Sequence, residues 1–195
     1  GNNNSACGLN ALSYVDTGSD NSALGLSAGL SNTSGEDNTY LGKNAGYAAS
    51  TLGNSTGSNN VFLGHNSLGT SASASNTITL GDANITTLRC ADTSISSLSD
   101  KRDKTDIVDL QVGLDFINTV RPVKFKWQTR EGTVKDGTVR AGFIAQELQE
   151  AQKNVEYLDL VLDDNPDKLE AKQSKLIPVL VKAIQELSVK VTALE

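Results

Sequence analysis

A glycine that returns at a fixed distance constrains this chain more than any other feature. Asn4-Ser5-Ala6-Cys7-Gly8, Asn21-Ser22-Ala23-Leu24-Gly25, Asn38-Thr39-Tyr40-Leu41-Gly42, Asn60-Val61-Phe62-Leu63-Gly64 and Thr77-Ile78-Thr79-Leu80-Gly81 align, with glycine spacings of 17, 17, 22 and 17. The unit is Asn-x-x-Leu-Gly, with Cys7 in a leucine position and five extra residues before the fourth copy. Apolar or β-branched residues precede each glycine, and Asn, Ser, Thr and Gly fill the gaps, the pattern of short strands joined by turns. One unit has too few apolar side chains to bury a core, so neighbouring units must stack. Periodicity leaves open whether that core closes within one chain or around a threefold axis.

The composition changes at Ser99-Asp100-Lys101-Arg102-Asp103-Lys104. Before Ser99 lie 13 of the 17 Gly, both Cys and only two of the 17 Lys+Arg; after it lie all three Pro and the single Trp. We therefore divide the chain into a β-repeat domain over 1–98 and a second domain over 99–195. Ile85, Leu88, Ile95 and Leu98 recur through Asp82 to Asp100 too sparsely to define an element, and this stretch reads as the junction. The repeat is already under way at Gly1, so the sequence is expected to be a piece of a longer chain.

Beyond the seam the pattern is mixed. Val108, Leu110, Leu114, Ile117 and Val120 fall largely at helical spacing and predict a helix over Asp106 to Val120, ended by Arg121-Pro122 because the residue before proline is pushed out of the α region. Val123, Phe125 and Trp127 alternate with Lys124 and Lys126 as in a half-buried strand, with Trp127 expected in the core. Glu131 to Gly137 reads as a polar loop, Ala141 to Ile144 as a strand, Ala145 to Ala151 as the start of a helix, and Tyr157 to Leu162 as a strand. Asp163 to Asp167 lacks the glycine and closing glutamate of a calcium loop and reads as a solvated turn. Ile177, Leu180, Ile184, Leu187, Val191 and Leu194 then step by 3, 4, 3, 4 and 3, a heptad seam that predicts a coiled-coil helix over about 176–195. Ser174 is a natural N-cap for it, and Pro178 sits in its first turn, where a missing N–H costs little.

Chemistry enters at the seam. A serine five residues ahead of a lysine can be a nucleophile with its base, provided burial or nearby cations release the lysine's proton. Residues five apart do not share a helix face, so the pair needs a turn or a lysine from a neighbouring chain.

The run S-D-x-R-x-K, then Thr105-Asp106-Ile107, Arg121-Pro122-Val123 leading to Phe125 and Trp127, Gly142-Phe143-Ile144-Ala145-Gln146-Glu147, and Ala183-Ile184-Gln185-Glu186-Leu187 occur in the order found in the C-terminal intramolecular-chaperone autoproteases of phage tail fibres and tailspikes. From Ser99 to Glu195 the chain resembles that family. The resemblance implies an α+β chaperone domain that folds as a homotrimer, holds three fibre chains in register, and then cuts itself free. It places the scissile bond between Leu98 and Ser99, with Ser99 as nucleophile and Lys104 as general base. Arg102 is expected to orient the loop or act on Lys104, and Asp100 to anchor the turn. The Asn-x-x-Leu-Gly repeats are similar to trimeric adhesin heads and phage fibre shafts.

The resemblance implies a fibre that meets a host cell-surface receptor, saccharide or protein, and sits in the virion after assembly in the host cytoplasm. Nucleic acid is not an expected partner, because 17 Lys+Arg against 23 Asp+Glu leave no basic surplus. No apolar run approaches the ~20 residues needed to span a bilayer, no signal peptide is visible, and no phosphate-binding glycine loop supports a nucleotide. No cofactor or metal is expected. Cys7 and Cys90 lack metal or redox spacing and read as buried free thiols. His65 reads as solvated or axis-lining, and Tyr14, Tyr40, Tyr47 and Phe62 as packing between repeats. Two alternatives remain: a bacterial trimeric adhesin without protease activity, which leaves S-D-x-R-x-K unexplained, and a self-cleaving membrane-bound transcription factor like myelin regulatory factor, which the repeats and the missing basic segment disfavour.

Overall fold

A computed structural model describes residues 1–48, 53–85, 87–92, 94–128 and 137–194. The chain divides into two units, one built on Gly1–Thr87 and the other on Leu88–Trp127 and most of the chain beyond.

The first unit is a solenoid-like stack. Strands β1 (Ser5–Cys7), β2 (Ser22–Leu24), β3 (Thr39–Leu41), β4 (Val61–Leu63) and β5 (Ile78–Leu80) form one parallel sheet in sequence order. Each pairs with the equivalent residues of the next, Ala23 opposite Tyr40 and Tyr40 opposite Phe62, so the predicted alignment is the strand register. The core closes within the chain: Leu12, Ala23, Ala28, Tyr40, Ala45 and Phe62 are buried together, and the Tyr40 and Phe62 rings stack 5.4 Å apart. Only the middle residue of each inner strand points inward. Its neighbours point outward because side chains alternate across a strand, so the leucine of Asn-x-x-Leu-Gly lies on the outer face, with Leu24, Leu41 and Leu80 exposed. The same alternation corrects the reading of Cys7, which is free but exposed, as is Cys90.

The asparagine opening each of the three middle units is buried and polar. Asn21, Asn38 and Asn60 are each 0 % exposed. Asn21 Nδ2 donates to Asn4 Oδ1, Asn38 Nδ2 to Asn21 Oδ1, and Asn60 Nδ2 to Asn38 Oδ1, each at 3.0 Å. Thr77 ends this ladder by donating both its N–H and its hydroxyl to Asn60 Oδ1. The residue before each rung, Asn3, Asp20, Asp37, Asn59 and Asn76, has a left-handed backbone with φ between 56° and 60°, a conformation that Asn and Asp enter more readily than other side-chain-bearing residues. The five-residue excess lies between Gly46 and Asn54: Asn54 N donates to Gly46 O, as Asn32 N donates to Gly29 O one coil earlier.

The second unit has its own core of Leu148, Leu158, Leu160, Val161, Leu176 and Val179. The helix expected over Asp106 to Val120 shrinks to α1 (Leu114–Ile117). Asp106 is left-handed at φ 51°, and Leu110 and Val112 reach the core from an irregular segment instead. Strand β6 (Val123–Lys126) pairs antiparallel with β7 (Val139–Gly142) and alternates as expected. Trp127 departs from its expected place in the core: it is half exposed, edge-on to Phe125. The polar loop expected over Glu131 to Gly137 lies outside the described residues except at Gly137. Helix α2 (Ala145–Ala151) falls where expected.

The strand expected over Tyr157 to Leu162 is reduced to β8 (Val161–Leu162), paired with β9 (Glu170–Ala171). Glu156–Leu158 is a 3-10 turn closed by Asp159 in the left-handed region, and consecutive burial of Leu160 and Val161 breaks the alternation a longer strand needs. Helix α3 (Ile177–Thr192) carries Pro178 in its first turn as expected, but Ser174 is not its cap: Gln173–Leu176 form a 3-10 turn and Leu176 occupies the cap position. Val179 and Ala183 are buried, whereas the heptad residues face outward, with Ile184 66 % and Leu187 49 % exposed.

Candidate functional site

Ser99 and Lys104 are brought together within one chain. Asp100 starts a one-turn 3-10 helix over Lys101–Asp103, its side chain accepting the Arg102 N–H at 2.8 Å. Asp103 N then donates to Asp100 O, and Lys104 N to Lys101 O, each at 3.2 Å. This turn supplies the reversal that a five-residue spacing requires. Lys104 Nζ donates to Ser99 Oγ at 2.6 Å.

Arg102 lies against Asp100 rather than against Lys104. Its Nε donates to both Asp100 carboxylate oxygens, at 3.1 and 3.2 Å, and its Nη2 to Oδ2 at 2.7 Å. The side-chain hydrogen bond from Arg102, followed by the backbone one, holds the Asp100 carboxyl below its usual range. The pair is a brace for the turn: the carboxylate is at once helix cap and guanidinium partner. Leu98, on the amino side of Ser99, is 98 % exposed in a segment without helix or strand. The arrangement sets a hydroxyl beside an amine, next to an exposed residue on its amino side. Ser99 through Lys104 are all exposed within this chain.

Other motif residues serve the frame. Arg121 forks on to Glu147, tying the Arg-Pro approach of β6 to α2. Glu186 accepts a hydrogen bond from Leu114 N across two helices. In the sequence Glu186 stands only within the Ala183-Ile184-Gln185-Glu186-Leu187 run, and its place three residues beyond Ala183, on the same helix stripe, is the signal for this contact.

Remaining candidates are dispersed. His65 is exposed with Nδ1 3.8 Å from Asp82 Oδ2. Tyr14 is exposed, while Tyr40 and Phe62 are buried. Among the described residues no cluster of His, Cys, Asp and Glu could hold a metal, and no helix is long and apolar enough to cross a membrane.

Residues 99–157 match a peptidase family model described as chaperone of endosialidase. No curated protein and no solved structure matches the chain.

Proposed function

On the premise that residues 99–157 are a domain of the chaperone-of-endosialidase family, we propose that this chain is the C-terminal part of a phage tail fibre or tailspike, and that its second domain drives trimerisation and folding before cutting itself off. Such a fibre attaches to a host cell-surface receptor, and the released domain stays behind when the fibre joins the virion. The observation that carries the self-cleaving reading is the 2.6 Å contact from Lys104 Nζ to Ser99 Oγ.

The chemistry needs no second substrate. Ser99 Oγ attacks the carbonyl carbon of Leu98 while Lys104, once neutral, accepts the hydroxyl proton. That proton passes to the departing nitrogen as the Leu98–Ser99 C–N bond breaks, leaving the Leu98 acyl group as an ester on Ser99 Oγ. Water hydrolyses the ester, giving a Leu98 carboxylate and a free Ser99 amine and hydroxyl. A lysine acts as base only where burial or neighbouring cations favour its neutral form. In our reading the cover comes from neighbouring chains, so that cleavage reports completed assembly.

Two exposed apolar surfaces support association between copies. On the solenoid, Leu24, Leu41 and Leu80 stand in one column on the outer face of the sheet with Cys7 and Leu63 in register. On α3, the heptad seam faces away from the unit's own core. Contiguous apolar surface of this kind marks a protein contact. A full chain carrying Ile184→Asp and Leu187→Asp is expected to remain monomeric and whole. Release of a fragment beginning at Ser99 from that monomer would overturn the coupling of cleavage to assembly.

A further inference from the structure

The segment that leaves the Ser99–Lys104 turn has its first fixed point on α3. From Thr105 to Asp109 every residue is exposed and none is in a helix or strand. Leu110 and Val112 then pack on the core, and Asp109 and Leu110 border a groove shared with Pro178, Val181, Lys182 and Gln185 of α3. At the end of this arm Glu186 Oε2 accepts the Leu114 N–H at 2.8 Å. That N–H belongs to the first turn of α1 and has no partner inside its own helix. Lys182 holds the other carboxylate oxygen at 3.2 Å.

Gly113 shows how closely the arm is seated. A Cβ there would lie 2.6 Å from Glu186 Oε2 and 2.8 Å from Lys182 Cγ, so any larger residue would push these two side chains aside. Glu186 continues the stripe of Val179 and Ala183, which are buried, while Ile184 and Leu187 point to the open side. One helix therefore presents the seam on one side and grips the arm on the other. Five residues, Thr105 to Asp109, lie between Lys104 and Leu110, a tether of six chain steps that reaches at most about 20 Å.

We infer that Glu186 is a positioning residue for the Ser99–Lys104 site: by capping Leu114 it fixes the arm carrying Lys104 to the helix whose outer seam meets neighbouring chains. The inference rests on the self-cleaving reading. It assigns to α3 a second task besides association, that of setting where the reactive turn can lie.

The test follows the full chain over time, unaltered and as Glu186→Ala, Glu186→Gln and Gly113→Ala, recording fragment release by mass, oligomer size by light scattering, and amide exchange at Leu114. Glu186→Ala is expected to keep the oligomer and release the fragment about tenfold more slowly, short of the ~100-fold that a 1 Å misplacement can cost, with faster exchange at Leu114. Glu186→Gln keeps an acceptor and should cleave within about threefold of the unaltered chain. Gly113→Ala, which displaces the carboxylate without removing it, should resemble Glu186→Ala. Glu186→Ala cleaving at the unaltered rate would overturn the inference while leaving self-cleavage standing, and so would slow cleavage accompanied by loss of the oligomer, because Glu186 would then serve folding alone. An unaltered chain that assembles and never cleaves would instead remove the self-cleaving reading, and the positioning role with it.

Discussion

Asn21 Oδ1 accepts both the backbone N–H and the side-chain amide of Asn38, each at 3.0 Å. Asn38 repeats the arrangement toward Asn60, so one polar side chain per coil joins successive coils inside the stack. A buried polar group is tolerated only when its hydrogen bonds are made. Asn38→Ala removes a donor to Gly57 O and an acceptor for two Asn60 N–H groups at once. We expect it to destabilise the solenoid by about 2–4 kcal/mol, read as a lower denaturant midpoint with an unchanged slope.

Tyr40 separates packing from hydrogen bonding. Its hydroxyl accepts the Asn54 Nδ2–H at 2.7 Å, and burial pushes its phenol pKa up. Tyr40→Phe keeps the stack on Phe62 and is expected to cost about 1–2 kcal/mol, because one Asn54 Nδ2–H loses its acceptor while the other still donates to Gly57 O. Phe62→Ala empties the stack and should cost about 3–5 kcal/mol. Equal losses in chemical denaturation would contradict this division.

Glycines with positive φ differ in what surrounds them. A Cβ on Gly25, at φ +138°, would lie 2.6 Å from the Gly42 carbonyl oxygen, whereas one on Gly137, at φ +68°, would meet nothing within 4 Å. Gly137→Ala is expected to cost about 1 kcal/mol of backbone strain, and Gly25→Ala clearly more, because the next coil must also move. Thermal midpoints of the two variants decide the order.

Asp159 gives the second unit an acid sensitivity. Its carboxyl is held below the usual 3.8 chiefly by the hydrogen bond from Lys172, with burial opposing and Lys175 adding to the lowering. A carboxylate whose folded pKa is depressed contributes stability above its unfolded value, and that contribution is lost as pH falls through the folded value. The loss should therefore set in below pH 3.8. The side chain is half exposed and the effect correspondingly screened. Asp159→Asn should flatten the acid limb of the thermal midpoint against pH and leave its slope near neutrality unchanged.

The repeat was legible because its period is written in glycine and asparagine, and the parallel register follows from stacking equivalent residues. What spacing did not reveal was direction. Leu24 and Leu41 look like core residues, yet a three-residue strand has one inward position, and Ala23 and Tyr40 take it. The left-handed residues before each rung were visible as Asn or Asp, but their backbone sign appears only in the fold. In the second unit, apolar spacing over Val108 to Val120 suggests a helix, but the backbone is left-handed at Asp106 and still non-helical at Gly113, at φ −145° and ψ −118°, so the helix begins only at Leu114. Alternation puts Trp127 on one face with Val123 and Phe125 but does not say whether that face is covered, and Trp127 lies half exposed. At the seam, the motif named Ser99 and Lys104, while their contact depends on the turn braced by Asp100 and Arg102.

The most direct measurement of the central claim is the intact mass, after denaturation, of the unaltered chain beside Ser99→Ala and Lys104→Ala. The unaltered chain is expected to yield a 97-residue fragment running from Ser99 to Glu195, and both variants to remain whole while still assembling. An unaltered chain that assembles and stays whole, or a Ser99→Ala chain that releases the same fragment, would contradict the account.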